Sequence, residues 1–220
     1  GREAGLLSPH APKEYGGLGL SMDHLRAFND EAVDYELPLS LNVPTFGILG
    51  ATLVAFGSHE QKLKFVPKIL SGEHQWVQFL SEPSGGSDLA GVLTRADRDG
   101  DTFVINGSKI WSSFAEISDY CMVLARTNWD VPKHRGLTMF IVKIHQPGIQ
   151  IEPIRMTYGS AEFCQEFFTD VVVSIDDVVG EVDEGWTVAS SLLLQERISL
   201  GGGSQFTVGA GMNRESAGTD

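Results

Sequence analysis

Three short stretches carry the residue types from which a site can be built. In Gln78-Phe-Leu-Ser-Glu-Pro-Ser-Gly-Gly-Ser-Asp88 an apolar, strand-like start runs into a Ser-Gly-Gly-Ser turn. Such a turn exposes successive backbone N–H groups and two hydroxyls, and Gly85 and Gly86 add no bulk. It therefore suits an anion such as a pyrophosphate, although a plain turn accounts for the same residues. In Asn106-Gly-Ser-Lys-Ile-Trp-Ser-Ser113 an indole and two hydroxyls follow a turn signal. An aromatic face beside small donors fits a flat heteroaromatic ring, with Trp111 as ordinary core the competing reading. Gln195-Glu196-Arg197 places an acid next to a base inside an apolar run. The two point in different directions on a helix, so one faces something other than solvent unless both serve surface ion pairs.

Other patterns are weaker. Asp97-Arg-Asp-Gly-Asp101 looks like a calcium loop, but its glycine comes too early and no glutamate closes it, which leaves a solvated hairpin tip. The six histidines are scattered without metal-ligand spacing, so no metal is expected. There is no P-loop, and neither Gly201-Gly-Gly203 nor Gly209-Ala-Gly211 follows a strand, which argues against a dinucleotide fingerprint. With 29 acidic against 16 basic residues, a net −13, the long-range field repels phosphate backbones and nucleic acid is not expected as a partner. A small anion held by local amides is still compatible with that charge. The two cysteines, Cys121 and Cys164, lie in apolar surroundings and are expected to be buried, inert thiols.

The elements that must position these residues fall into three blocks. The first is helical. A run begins at Ser21-Met-Asp-His and continues through Leu25, Phe28, Ala32 and Val33 to about Tyr35. A second run goes from Pro44 to Phe56 and stops at Gly57. A third opens on a capping box, Ser58-His-Glu-Gln61, and ends before Gly72. PKEYGGLGL, ahead of them, reads as a Gly-rich loop. From about Trp76 the period changes to that of strands: WVQFLS, TRADRD, TFVING, YCMVLART, LTMFIVKI, IQIEPI and EFFTDVVVSI. Asp99-Gly100 predicts a hairpin turn and Asn106-Gly107 a second turn. Strands at this spacing predict an antiparallel barrel or sandwich. After Gly185 the pattern is helical again. No apolar run approaches the ~20 residues of a membrane span, and the first residues lack a signal-peptide pattern, so a cytoplasmic protein is expected.

The three stretches, with the residues around them, resemble the acyl-CoA dehydrogenase family of bacterial type. PKEYGGLGL is similar to its N-terminal loop and FGSHEQKLKFVPKILSGE to its helix pair before the sheet. FLSEPSGGSDLAGVLTRA stands where the family has (S/T)EP-x-AGSD, and DGDTFVINGSKIWSSFA matches NG-x-K-x-W-(I/S)-(T/S). FFTDVVVSIDDVVGEVDEGW matches F-x-D-V-x-V-P followed by V-G-x-x-x-x-G-W. The resemblance implies an α+β chain with a truncated N-terminal helical domain (1–74), a central antiparallel β-barrel (75–184) and the start of a C-terminal helical bundle (185–220).

It also implies FAD at the barrel edge and α,β-desaturation of an acyl-CoA thioester. Gln78, Leu80 and Ser81 would run beside the flavin, and Gly86 and Ser87 would meet the pyrophosphate, with Ser87 also touching the acyl-CoA. Trp111 and Ser113 would flank the isoalloxazine, Ser113 near N5. The base is Glu196, as in the isovaleryl-type branch, or an acid further downstream as in most members; Arg197 would shape the substrate pocket. Implied partners are an electron-transferring flavoprotein and further subunits, in a homo- or hetero-oligomeric dimer or tetramer. A flavin-holding subunit without its own catalysis, or an acyl-CoA oxidase, are the alternatives. SGGSD for AGSD and WSSFA for W-I-T-N keep the hydroxyls, and VSIDD lacks the family's proline, a change confined to a loop.

Overall fold

A computed structural model describes residues 11–32 and 43–200, which fall into two compact units: residues 75–190 form one, and the described residues of 11–74 and 191–200 belong to the other.

In the helical unit, α1 (Met22–Glu31) buries Leu25. The sequence extends this helix to about Tyr35, but Val33–Tyr35 lie outside the described residues. The run expected from Pro44 begins as a wide π-helical segment, Val43–Gly50, and becomes the α-helix α2 (Ala51–Phe56). It stops at Gly57, where a Cβ would come within 2.6 Å of the Leu53 carbonyl oxygen. The third helix, α3 (His59–Leu70), has the predicted capping box: Gln61 N donates to Ser58 Oγ at 3.1 Å and Ser58 N to Gln61 Oε1 at 3.0 Å. Gly72, at φ 71°, takes the left-handed conformation just past its end.

The strand unit holds β1 (Trp76–Phe79), β2 (Arg95–Asp99), β3 (Thr102–Ser113), β4 (Tyr120–Arg126), β5 (Leu137–Lys143), β6 (Ile149–Ile154), β7 (Phe163–Ser174) and β8 (Val178–Val179). They form one sheet in the order β6-β7-β3-β2-β4-β5-β8, with β1 also paired to β4. The sheet is mostly antiparallel, as predicted, but mixed: β1 lies parallel to β4, and β2 meets β4 through one parallel pair, Arg95 with Arg126. A long connection separates β1 from β4, which is what a parallel neighbour requires. The end strands β6 and β8 do not pair with each other among the described residues, so this pairing does not by itself close a barrel. The inner face gathers Val77, Phe79, Phe103, Ile105, Val123, Phe140 and Phe168 with both cysteines. Burial raises both thiols above their ordinary value, in keeping with inert cysteines. The sixteen-residue helix α4 (Gly185–Leu200) follows the sheet.

One expected turn is present and one is not. Asp99-Gly100 makes the β2–β3 hairpin, with Gly100 at φ 60° and Asp99 paired to Thr102. Asn106-Gly107 lies inside β3 instead. The register with β7 shifts between Ile105 and Gly107, so the glycine serves a bulge rather than a reversal. Asn106 closes the bulge against Asp170, donating Nδ2–H to its carboxylate at 3.1 Å and accepting its backbone N–H at 2.9 Å. Gly107 sits at φ 151°, and a Cβ there would lie 2.6 Å from Thr94 Oγ1.

Candidate functional site

The strand β1 delivers Gln78 half-buried and Leu80 buried just beyond its end. The chain then reverses through Pro83-Ser84, where Glu82 and Gly85 exchange backbone hydrogen bonds of 3.1 and 2.9 Å. Gly86, Ser87 and Asp88 follow as exposed backbone. Among the described residues nothing accepts a hydrogen bond from the amides of Gly86 and Ser87. A Cβ at Gly85 would meet only open space, and one at Gly86 would stand 3.2 Å from Ser81 Oγ. Neither glycine has positive φ. Their use is therefore room and free donors, not an unusual backbone conformation.

The flanks of this turn are held firmly. On one side, the Glu82 carboxylate accepts from Leu93 N at 2.6 Å, Thr94 N at 2.9 Å and Lys109 Nζ at 2.9 Å. Burial raises that carboxyl, but Lys109 and the backbone donors outweigh it and leave it below its ordinary value. On the other side, the buried Arg126 guanidinium donates to three carbonyls: Ala90 at 2.6 Å, Val92 at 3.2 Å and Lys133 at 3.2 Å. Lys133 Nζ also reaches both oxygens of Asp88, at 2.7 and 2.9 Å, and so offsets the one carboxylate next to the free amides.

The second stretch lies directly alongside. Ile110 N donates to Ser81 O at 2.9 Å, and Lys109 Nζ donates to Leu80 O at 3.0 Å. A second register shift with β7, between Ile110 and Ser112, turns Trp111 outward at φ 68°. Trp111 is 53% exposed, so it is not the ordinary core residue that its composition allowed. Its only described ring contact is the edge of Phe163, with centroids 6.1 Å apart. Ser112 turns inward and is buried, while Ser113 is half-buried at the strand end.

The structure thus brings Gln78, Leu80, Ser81, Gly86, Ser87, Trp111 and Ser113 into one strand unit. They form an exposed indole, a hydroxyl and two unused amides around the same strand end. This set fits a ligand that joins a flat ring to an anion, which is the chemistry of FAD. Glu196 and Arg197 sit apart in the chain, on the last part of α4 in the other unit; Glu196 is half-buried and Arg197 exposed. Sequence reasoning missed the buried polar groups behind the site: Glu82, Lys109, Ser112, Arg126 and Glu166. The signal for two of them was present. Lys109 continues the inward alternation of Phe103 and Ile105, and Glu166 stands between inward Cys164 and Phe168.

Comparisons with known proteins point to one family. Residues 2–73 match the family model "Acyl-CoA dehydrogenase, N-terminal domain" and residues 78–171 match "Acyl-CoA dehydrogenase, middle domain". The chain is 45% identical to acyl-CoA dehydrogenase IpdE1 of Mycobacterium tuberculosis over 88% of its own length and 50% of that protein. It is 31% identical to the mitochondrial isovaleryl-CoA dehydrogenase of Pongo abelii, over 90% of this chain and 48% of that one. Among solved structures, the Tcur3481-Tcur3483 steroid ACAD superimposes with a TM-score of 0.79 at 37% identity, covering 92% of this chain and 52% of that one. The chain therefore spans about half the length of the curated relatives it matches.

Proposed function

This chain belongs to the acyl-CoA dehydrogenase family, and from that premise we propose that it supplies the flavin-holding part of an FAD-dependent acyl-CoA dehydrogenase. The observation that carries the reading is the hydrogen bond from Ile110 N to Ser81 O. It sets the unused amides of Gly86 and Ser87 and the exposed ring of Trp111 around one strand end. The reaction is α,β-desaturation of an acyl-CoA thioester, for which bound FAD supplies the hydride acceptor at flavin N5.

The chain's own residues have the following parts. Gly86 and Ser87 would donate to the pyrophosphate through backbone N–H groups, and the Ser87 hydroxyl would also meet the acyl-CoA. Gln78, Leu80 and Ser81 line the flavin edge. Trp111 would cover the flavin ring and keep water from it, while Ser113 would offer a hydroxyl near N5. Glu196 takes the α proton of the thioester, the role that a carboxylate beside an arginine plays in the isovaleryl-type branch, and Arg197 shapes the pocket. In this reading the chain has the three-part organisation 1–74, 75–184 and 185–220, with the sheet curved as in a barrel. It acts in the cytoplasm as one subunit of an oligomer and passes electrons to an electron-transferring flavoprotein. Among the described residues no helix is long and apolar enough to cross a membrane.

The test uses purified full-length protein loaded with FAD. Straight-chain, branched and steroid-side-chain acyl-CoAs are added while flavin absorbance is followed at about 450 nm, where reduction bleaches it. At least one thioester bleaches the flavin, and Glu196→Gln slows that bleaching by at least about a hundredfold. Bound FAD that no thioester bleaches would favour a flavin-holding subunit without catalysis. Undiminished bleaching in Glu196→Gln would move the base downstream.

A further inference from the structure

Behind the outward-turned Trp111 lies a group of buried ionisable side chains that no step above uses. Lys109 and Glu166 have no exposed surface, and Glu82 is 5% exposed. Lys109 and Glu166 are paired positions across β3 and β7. Lys109 Nζ donates to Leu80 O at 3.0 Å and to Glu82 Oε1 at 2.9 Å, so it grips the chain on both sides of Ser81. Glu166 Oε2 accepts the Ser112 hydroxyl at 3.1 Å and so holds the residue between Trp111 and Ser113. Glu166 Oε1 is buried with no hydrogen-bond partner among the described residues.

A sheet interior does not require such a group. Replacing a buried ion pair with apolar residues of similar volume is often neutral or stabilising, so stability alone does not account for a lysine among Phe103, Ile105 and Phe168. What the group does is directional. It ties the inward sides of two segments whose outward sides carry Ser81, Trp111 and Ser113, and it does so through donors with defined geometry. Resting on the flavin reading above, we propose that Lys109 is a positioning residue. With Glu82 and Glu166 it locks the Leu80–Glu82 strand end against Lys109–Ser113, so that both walls of the flavin site are set before FAD arrives.

The experiment compares four variants of the full chain with the parent: Lys109→Met, the double variant Glu82→Gln/Lys109→Met, Glu166→Gln, and Val123→Ala as a destabilised control in the same core. The double variant removes both members of the Glu82–Lys109 ion pair together, so it keeps the question answerable if Lys109→Met fails to fold. Two readouts are taken well below the melting temperatures. The first is amide hydrogen exchange of residues 80–88 and 110–113 without FAD, and the second is FAD affinity with the visible circular dichroism of the bound flavin. The lock predicts that the double variant exchanges at least about tenfold faster in those segments than Val123→Ala does. It also predicts FAD binding weakened at least about tenfold and an altered flavin dichroism, both preserved in Val123→Ala. Glu166→Gln, which can still accept from Ser112, stays near the parent in exchange and affinity. Exchange no faster in the double variant than in the control would overturn the lock. If the parent itself takes up no FAD, the flavin reading falls, and the exchange result still decides the lock by itself.

Discussion

The strand pairs β4·β5 and β3·β7 belong to one sheet and are built on opposite plans. In β4·β5 the register runs unbroken from Tyr120 with Lys143 to Arg126 with Leu137, and nearly every side chain is buried. In β3·β7 the register slips twice, three non-glycine or bulge positions take positive φ (Gly107, Trp111 and Asp170), and the inward side carries Lys109 and Glu166. The regular pair supplies stability mainly through apolar burial, with Arg126 at its end holding the neighbouring loops by carbonyl bonds. The irregular pair turns an indole to solvent, which a regular strand of the same sequence would bury or stack. Irregularity here is what turns residues outward, toward the proposed ligand.

The largest effects should come from breaking each plan at its centre. Phe140→Ala opens a cavity in the apolar pair and should cost about 3–5 kcal/mol in urea unfolding. Lys109→Met leaves the Glu82 carboxylate buried and unpaired, and should cost a similar ~3–5 kcal/mol. The two losses differ in how they are recovered. Adding Glu82→Gln to Lys109→Met should restore part of the loss, since the stranded charge is gone while one of the Leu93 and Thr94 amides loses its acceptor, whereas no polar change nearby should rescue Phe140→Ala. If the double variant is as unstable as Lys109→Met, the cost lies in lost packing and the two strand pairs are not different in kind.

The next effect is pH dependence between about pH 5 and pH 8, where the shifted groups lie in the irregular pair. Burial raises the Glu166 carboxyl from its ordinary 4.5 to about 8, and the Ser112 hydrogen bond and Lys109 counter this only in part. Between those two values the folded chain holds a proton that the unfolded chain has released. This group therefore lowers stability as pH rises through that window. Lys109 is lowered by burial from 10.5 to about 8 despite Glu82, so above pH 8 its contribution runs the other way and stability rises toward 10.5. Glu166→Gln should remove the fall on the acid side, a difference on the order of 2–3 kcal/mol between about pH 5 and pH 8 in paired urea titrations. Parallel curves for the two proteins would place the carboxyl at its ordinary value.

Much of this contrast was legible in the sequence, but unevenly. The capping box of α3, the hairpin at Gly100 and most strands, though not the full length of β3, follow from local patterns, because local hydrogen bonds and the two-residue period suffice to specify them. The bulges do not, because a bulge is defined by the partner strand. Asn106-Gly107 carries the same dipeptide as a hairpin turn, and only the pairing with β7 and the bond to Asp170 makes it an interior kink. The outward turn of Trp111 is hidden for the same reason. Lys109 and Glu166 were readable from the inward alternation, yet charged residues are so rarely buried that composition argues against it. The residues proposed to hold the flavin were assigned that role by a resemblance that covers most of the chain, and the adjacency of Ser81 and Ile110 is what the structure adds.

Smaller effects sharpen the comparison within the irregular pair itself. Gly107→Ala meets both a positive φ and a Cβ contact of 2.6 Å with Thr94, and should cost about 2–3 kcal/mol. Gly100→Ala shares the positive φ but has open space around it, and should cost only ~1 kcal/mol. Equal losses would mean that the approach to Thr94 relaxes freely and the bulge is not tightly packed.

The smallest stability effect should accompany a large functional one. Trp111 holds a left-handed backbone at φ 68°, which a side chain adopts at a cost of roughly 1 kcal/mol or more. Trp111→Gly removes that strain. It also gives up the edge contact with Phe163, worth about 0.5–1.5 kcal/mol, and adds backbone freedom to the unfolded chain, worth about 0.5–1 kcal/mol. The ring is already half in water, so little apolar burial is lost. These contributions oppose one another, and the unfolding free energy should move by less than about 1 kcal/mol. FAD affinity in the same variant should fall by at least about tenfold, because the aromatic face that would cover the flavin is gone. A strained, exposed residue whose removal is almost free for the fold but costly for the ligand is held for the ligand. If instead the variant loses several kcal/mol, Trp111 belongs to the packing of β3 and β7 and the division of labour between the two strand pairs does not hold.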